Sequence, residues 1–342
     1  MKINKNDLKS AASKGVISNE QADLLWNTLS KSVSDRPGFN LVHVFYYFGA
    51  LLVISSMAWF MGTAWESFGG SGIFAISSLY ALAFVLFGIK LGRQAKLRVP
   101  SGLLITMGVC MTPLIVYGLQ RWLDIWAFDD PGEYKSFHRW IKGGWFYMEI
   151  ATIGAGLLAL RYFKFPFLTA PIAFSLWYLS MDLTPILFEG NDFSFEERKW
   201  VSLVFGLLMI IGSYFVDLKT KADFAFWGYL FGTIAFWGGI SMLDSNNELS
   251  RFFYFLINLS LMGTAIFLQR KVFMVFGAIG SFAYFGHLAS SLFEDSALFP
   301  VALTLLGLLI LYFGILLNRH GLKIETALIS SMPKWMQELR PN

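Results

Sequence analysis

The feature that most constrains this chain is a succession of long apolar runs that carry almost no charge. A helix needs about 20 apolar residues to cross the hydrocarbon core of a bilayer. Two runs contain a single acidic residue each, Glu149 within residues 143–160 and Asp182 within residues 165–188. The remaining runs contain no Asp, Glu, Lys or Arg and cover residues 37–65, 67–89, 99–120, 200–216, 224–243, 252–269, 272–293 and 296–318. The sequence therefore predicts an all-α, polytopic membrane helical bundle of about ten transmembrane helices arranged as hairpins.

The overall composition supports this fold class and argues against a soluble domain. Soluble domains carry about a quarter charged residues, whereas this chain has 15% charged and 56% hydrophobic residues. The first 36 residues are polar and contain no apolar core of a cleavable signal peptide. We therefore expect the first apolar run to be retained as a membrane span.

The distribution of basic residues predicts the orientation of the bundle. With the N-terminus placed inside, 20 of the 27 Lys and Arg residues fall in the inner segments. Cytoplasmic loops are enriched in Lys and Arg, so both termini are predicted to be cytoplasmic. The chain then divides into a cytosolic helical module (residues 1–36), a transmembrane bundle (residues 37–320) and a cytosolic tail (residues 321–342).

The N-terminal segment has the signals of a short helix-turn-helix module. Gly15 is a natural left-handed cap for a first helix, and Ser18 followed by Gln21 is a capping box for a second. The second helix would carry Leu24, Leu25 and Leu29 on one stripe. This stripe either docks on the membrane helices or binds a protein partner, including a second copy of the chain. The module is not strongly basic, so we do not expect it to bind nucleic acid.

The apolar runs resemble one hairpin used five times. Glycine follows phenylalanine at similar depth in Phe48-Gly49-Ala50, Phe231-Gly232-Thr233 and Phe276-Gly277-Ala278. True duplication and convergence both account for this pattern. In either case small residues let membrane helices approach closely, so most of the in-span glycines are predicted to be packing contacts.

Four polar residues within the runs are candidates for a substrate or ion pathway: Asp182, Glu149, His287 and Asn258. Ionisable groups are costly inside a bilayer and usually mark function. All four fall in the outer halves of their predicted spans, and they would line a pocket open to the outer side if their helices adjoin. Structural roles are the alternative, because Glu149 can reach towards the interface and His287 can bond to a neighbouring carbonyl. Asp182 is too short to reach water from its depth and is the strongest candidate to carry a proton.

The sequence contains no motif for a cofactor, a metal centre or a known type of catalysis. Phosphate-binding loops, zinc-protease motifs and serine nucleophile elbows are all missing. The chain has four histidines in separate segments and one cysteine, Cys110. The predicted outer loop, residues 121–142, is either an interfacial segment or a metal or sugar site built from Asp129, Asp130, Glu133 and His138.

The N-terminal third resembles an uncharacterised bacterial family of predicted membrane proteins, domain of unknown function 2157. The resembling residues are Gly15-Val16-Ile17-Ser18, Gln21 and a first span that contains Gly49 and ends near Trp65. The resemblance implies a small cytosolic helical module before a series of hydrophobic hairpins, in a bacterial inner membrane. It implies no activity and assigns no functional residues.

Three functions remain open at the level of sequence. The chain could be a transporter or channel with a polar pocket, and the in-span carboxylates favour this hypothesis. It could be a non-catalytic scaffold or sensor that acts through its N-terminal module, with membrane lipids and a protein as partners. It could also be a membrane-embedded enzyme acting on a lipid or glycan at the outer face.

Overall fold

The computed structural model describes residues 11–13, 15–33, 41–94, 97–126, 145–184, 195–243 and 247–293, together with single positions at 8, 301, 304, 305, 307, 308 and 312. The chain divides into two compact units, Met1–Gly49 and Ala50–Asn342. Every regular element in these ranges is helical. Most of the run at 296–318, the tail and the outer-loop positions Asp129, Asp130, Glu133 and His138 lie outside the described residues.

In the first unit, a tight reversal precedes helix α1, Asn19–Val33. Gly15 has φ of 74°, and the two hydrogen bonds of a Schellman motif join Gly15 N to Ala12 O and Val16 N to Ala11 O. The predicted capping box is confirmed, because Ser18 N donates to Gln21 Oε1 at 2.9 Å and Gln21 N donates to Ser18 Oγ at 3.1 Å. The cytosolic position of this segment stays a prediction.

Helix α2 extends over Leu41–Gly92 and is broken by a kink. Gly69 has φ of 60° and ψ of 179°, a conformation that only glycine adopts readily. The two apolar runs on either side of Glu66 are therefore two helical segments joined at Gly69. Glu66, the charged residue between the two apolar runs, lies within one helical turn of the kink at Gly69.

The remaining helices follow the predicted runs. Helices α3 (Arg98–Cys110) and α4 (Thr112–Leu123) are nearly continuous, and Pro113 begins α4 where no N–H donor is required. The others are α5 (Phe146–Tyr162), α6 (Thr169–Asp182), α7 (Phe195–Lys219), α8 (Phe226–Ser241), α9 (Glu248–Leu268) and α10 (Lys271–Phe293). A short 3₁₀ turn at Pro166–Leu168 precedes α6.

Five segments in the described part of the chain are long and apolar enough to cross a membrane. They are Phe68–Gly92, Arg98–Leu123, Glu197–Lys219, Glu248–Leu268 and Lys271–Leu288. Helices α5, α6 and α8 are apolar but have 17, 14 and 16 residues, fewer than the usual length of a crossing. In its described residues the chain has the architecture of an all-helical membrane protein with several apolar helices, and the count of about ten spans stays a prediction.

Helices joined by short turns pack most extensively, notably α7 with α8 and α9 with α10. Glycines permit this closeness, as predicted. A Cβ at Gly206 of α7 would overlap Phe236 N and lie 2.7 Å from Gly232 O of α8. A Cβ at Gly277 of α10 would lie 2.6 Å from Asn258 O of α9. By contrast, a Cβ at Gly212 would meet no atom within 4 Å, so not every in-span glycine has a packing role.

A cluster of charged and aromatic groups joins the ends of these two helix pairs. Arg270, between α9 and α10, places Nη2 2.5 Å from Asp217 Oδ1 and Nη1 2.7 Å from Asp223 Oδ1. Its Nε donates to the other Asp217 oxygen at 3.2 Å. The guanidinium carbon lies 5.5 Å from the centre of the buried Tyr229 ring. Three backbone segments are therefore fixed to one another through one arginine.

Candidate functional site

A cavity of about 310 Å³ lies within the second unit, between helices α2 to α6 and α8. Its walls are mostly apolar and aromatic side chains, and Glu149 belongs to the lining with both carboxylate oxygens buried. The lining residues are Ile54, Thr106, Cys110, Pro113, Trp145, Met148, Glu149, Thr152, Phe167, Ala170, Pro171, Phe174, Ser175, Tyr178, Trp227 and Phe231.

Helix α6 contributes one complete face to the cavity. Its lining residues are Ala170, Pro171, Phe174, Ser175 and Tyr178, which follow the spacing of one side of an α-helix. With a rise of about 1.5 Å per residue, this face extends about 12 Å along the helix axis. The cavity lining therefore follows α6 for about two helical turns, and the cavity is called the slot.

Aromatic rings contact one another along this slot. Trp145 stacks on Tyr178 with ring centres 5.8 Å apart. The Phe174 and Phe231 rings meet edge to face at 5.7 Å, and Trp227 stacks on Phe231 at 6.2 Å. Because these rings come from α6, α8 and the residue that precedes α5, their contacts hold these three elements together.

The hydroxyl groups of two lining threonines are directed back to their own helices. Thr152 Oγ1 donates to Met148 O at 2.6 Å, and Thr106 Oγ1 donates to Gly102 O at 2.8 Å. Such bonds satisfy the hydroxyl locally. Neither threonine hydroxyl proton is therefore available to a polar guest, and Glu149 is the acidic residue of the lining.

Glu149 and Asp182, both predicted from the sequence, are brought together by the packing of α5 against α6. Glu149 is 4% exposed and Asp182 is 0% exposed. The two carboxylates interact electrostatically, and the Tyr178 side chain lies in the field of both. Within the described ranges, neither oxygen of Glu149 has a hydrogen-bond partner. Arg198 of α7 interacts electrostatically with Asp182 and so supplies a counter-charge on that side.

Asn258 is fully buried in a different part of the bundle. Its Oδ1 accepts a hydrogen bond from Trp237 Nε1 at 3.1 Å, and its Nδ2 donates to Tyr254 O at 2.8 Å. A Cβ at Gly280 would overlap the Asn258 amide. These contacts tie α8, α9 and α10 together, which is the arrangement expected of a structural polar contact.

His287 lies near one end of the α9–α10 pair, among charged groups. Its Nε2 is 2.6 Å from Arg251 Nη1 and 3.4 Å from Glu248 Oε1. The side chain is 32% exposed. Neither His287 nor Asn258 is among the residues that line the cavity, so the structure joins two of the four predicted residues rather than all four.

Tyr178, Arg198 and the aromatic walls were not predicted from the sequence. Phe174 and Tyr178 are spaced four residues apart, but this spacing also fits a lipid-facing stripe. Arg198 falls in a predicted outer loop, where its charge marks a span boundary. Within the described part of the chain, no group of His, Cys, Asp and Glu has the arrangement of a metal site.

Residues 11–122 match the family model described as "Predicted membrane protein (DUF2157)". No curated protein and no solved structure matches the chain. The match ends before α5, so Glu149 and Asp182 lie beyond it. The resemblance inferred from the N-terminal residues is thereby confirmed: over residues 11–122 this chain carries the pattern of the DUF2157 family of predicted membrane proteins.

Proposed function

We propose that this chain is a multi-pass transporter or channel of the inner membrane, whose pathway passes Glu149 and Asp182. The observation that carries the proposal is the placement of two buried carboxylates at an aromatic cavity in the membrane bundle. An ionisable group in this environment costs several kcal/mol. Ionisable residues that are retained at such a cost usually mark a functional site.

The proposal includes the topology of about ten crossings with both termini in the cytoplasm. The positions of the charge clusters support it. Arg270, Asp217 and Asp223 gather where α7 ends and α9 meets α10, and Arg251 and Glu248 lie at the opposite end of α9. Charged groups thus collect at the ends of long apolar helices, where a bilayer meets water.

The carboxylate pair provides a physical basis for binding and release. Two negative charges in a low-dielectric site repel each other strongly. A proton or a cation that enters the pair relieves this repulsion, whereas Arg198 offsets the charge of Asp182 from the α7 side. Glu149, which belongs to the cavity lining, is then the carboxylate nearer the substrate, with Asp182 as its electrostatic partner.

A second candidate function is a scaffold or sensor that acts through the N-terminal module. In the first unit, Leu24 is 66% exposed and Leu25 is 42% exposed, whereas the side chain of Leu29 lies outside the described residues. Exposed apolar side chains of this kind are suited to a protein partner. Deleting residues 1–36 separates the two functions, because a scaffold loses its partner and a transporter keeps its pathway. The predicted enzyme site lies outside the described residues.

The single cysteine of the chain tests the proposed pathway directly. Cys110 lines the cavity and is the one thiol in the sequence. We expect a membrane-impermeant, cationic methanethiosulfonate reagent to label Cys110 in sealed vesicles of both orientations, because a pathway opens to each face. Cys110→Ser gives the background of the assay. A cavity that is closed to the reagent from both faces, or open to one face only, contradicts the transport proposal.

A further inference from the structure

We infer that the cavity binds a lipophilic organic cation, in which a quaternary or protonated nitrogen is attached to an aromatic or aliphatic group. The inference rests on the proposed function and names its class of substrate. It combines the charge of the carboxylate pair, the aromatic walls and the size and shape of the slot.

The charge of the site selects a cation. Glu149 is 4% exposed, and within the described part of the chain its two oxygens have no hydrogen-bond partner. A buried carboxylate without a partner is unfavourable unless a proton or a cation joins it. An anionic guest is repelled by the pair, and a purely apolar guest has no charge that could replace a proton at Glu149.

The walls of the cavity select a cation that is large and weakly hydrated. Small ions such as Ca²⁺ need six to eight oxygen ligands, which these walls do not provide. Sugars and other polyhydroxylated guests need many hydrogen bonds, but Thr106 and Thr152 bond to their own helices. A quaternary ammonium group requires neither a shell of oxygen ligands nor a set of hydrogen bonds, because its charge is diffuse and it has no N–H donor.

The aromatic rings supply the complementary attraction. Trp227, Phe231, Phe174 and Tyr178 all border the slot, and the face of an aromatic ring attracts a cation within about 6 Å. A volume of about 310 Å³ is at the lower end of the range for small-molecule sites. The slot therefore fits a compact cation with one aromatic group, with the nitrogen near Glu149.

The test uses benzyltrimethylammonium and, as an anion with the same benzyl group, phenylmethanesulfonate. Isothermal titration calorimetry on the full-length protein in detergent measures the affinity for each. We expect the cation to bind and the sulfonate not to bind. Glu149→Gln should weaken binding of the cation about 30-fold or more, whereas Glu248→Gln, a matched change at an exposed glutamate outside the cavity, should leave it unchanged.

A second pair of variants tests the aromatic walls. Phe231→Leu keeps an apolar side chain but removes a π-face, and it should weaken binding about three- to thirty-fold. Phe282→Leu, at a position that is 61% exposed on α10, is the control and should have no effect. Thermal unfolding of each variant establishes that it is folded before titration.

The two proposals fail in different ways. If the cation does not bind, if the sulfonate binds equally well, or if Glu149→Gln binds as the wild type does, the substrate class is wrong. Labelling of Cys110 from both faces would still support transport in that case. If the cation binds with the expected dependence on Glu149 and Cys110 is closed to one or both faces, the site is a cation-binding site and the transport proposal fails.

Discussion

Replacing Arg270 with alanine is expected to lower the free energy of unfolding by about 3 kcal/mol. Arg270 makes the two-point contact with Asp217 and a further ion pair with Asp223. The Asp217 side chain is 8% exposed, so its charge would remain buried without the arginine. Leaving a buried charge without its partner is among the most destabilising effects that a single substitution produces.

Thermal or denaturant-induced unfolding of the purified protein in detergent measures this effect. Arg251→Ala is the matched control. Arg251 pairs with Glu248 at 2.5 Å, but the Glu248 side chain is 65% exposed, and exposed pairs contribute little to stability. Arg270→Lys should fall between the two, because lysine keeps the charge and loses the forked geometry. Equal losses for Arg270→Ala and Arg251→Ala would contradict the role given to Arg270.

The second large effect is expected from Gly206→Leu, which should destabilise the packing of α7 against α8 by about 2 kcal/mol or more. A Cβ at this position already overlaps Phe236 N and comes within 2.7 Å of Gly232 O. Because these neighbours are backbone atoms, no rotation of a side chain can make room. The two helices must separate, and the contacts along their whole interface weaken.

Gly212→Leu on the same helix provides the control, since a Cβ there meets no atom within 4 Å. Both variants add the same side chain to α7 and change its helix propensity equally. Their difference in unfolding therefore reports packing alone. If Gly206→Leu is as stable as Gly212→Leu, the conclusion that α7 and α8 pack closely at Gly206 is wrong.

The positions of the helices follow from the sequence because apolar runs and charges act locally along the chain. The runs on either side of Glu66 correspond to two helical segments. The break between them is at Gly69, where the backbone has a positive φ. The capping box at Ser18 and Gln21 formed as predicted. Both features depend on residues a few positions apart, and these are the interactions that a sequence pattern specifies best.

The arrangement of helices around a site depends on contacts between distant segments and was only partly predictable. Glu149 and Asp182 meet because a short turn connects α5 to α6 and holds them side by side. Asn258 and His287 occur at similar depth in their predicted spans, but their partners are Trp237 and Arg251. The sequence predicts how deep a residue lies along its span. It does not predict how each helix is rotated and placed within the bundle.

The aromatic walls illustrate the same difficulty. Phenylalanine is common throughout this chain, and it suits both lipid and protein interiors. Phe253 and Phe282 are exposed away from the cavity, whereas Phe231 and the partly exposed Phe174 border it. No local pattern distinguishes these two groups, because the packing of α6 against α8 determines which rings border the cavity.

The central claim is that the carboxylate pair controls access to a pathway through the membrane. It is tested most directly by the rate of Cys110 labelling from the outer face divided by the rate from the inner face, measured with the impermeant reagent in oriented vesicles. Asp182→Asn and Glu149→Gln each remove one negative charge and are predicted to shift this ratio about tenfold or more towards one face, a change of about 1.4 kcal/mol in the balance between two open states. A ratio that stays at the wild-type value in both variants would contradict the claim.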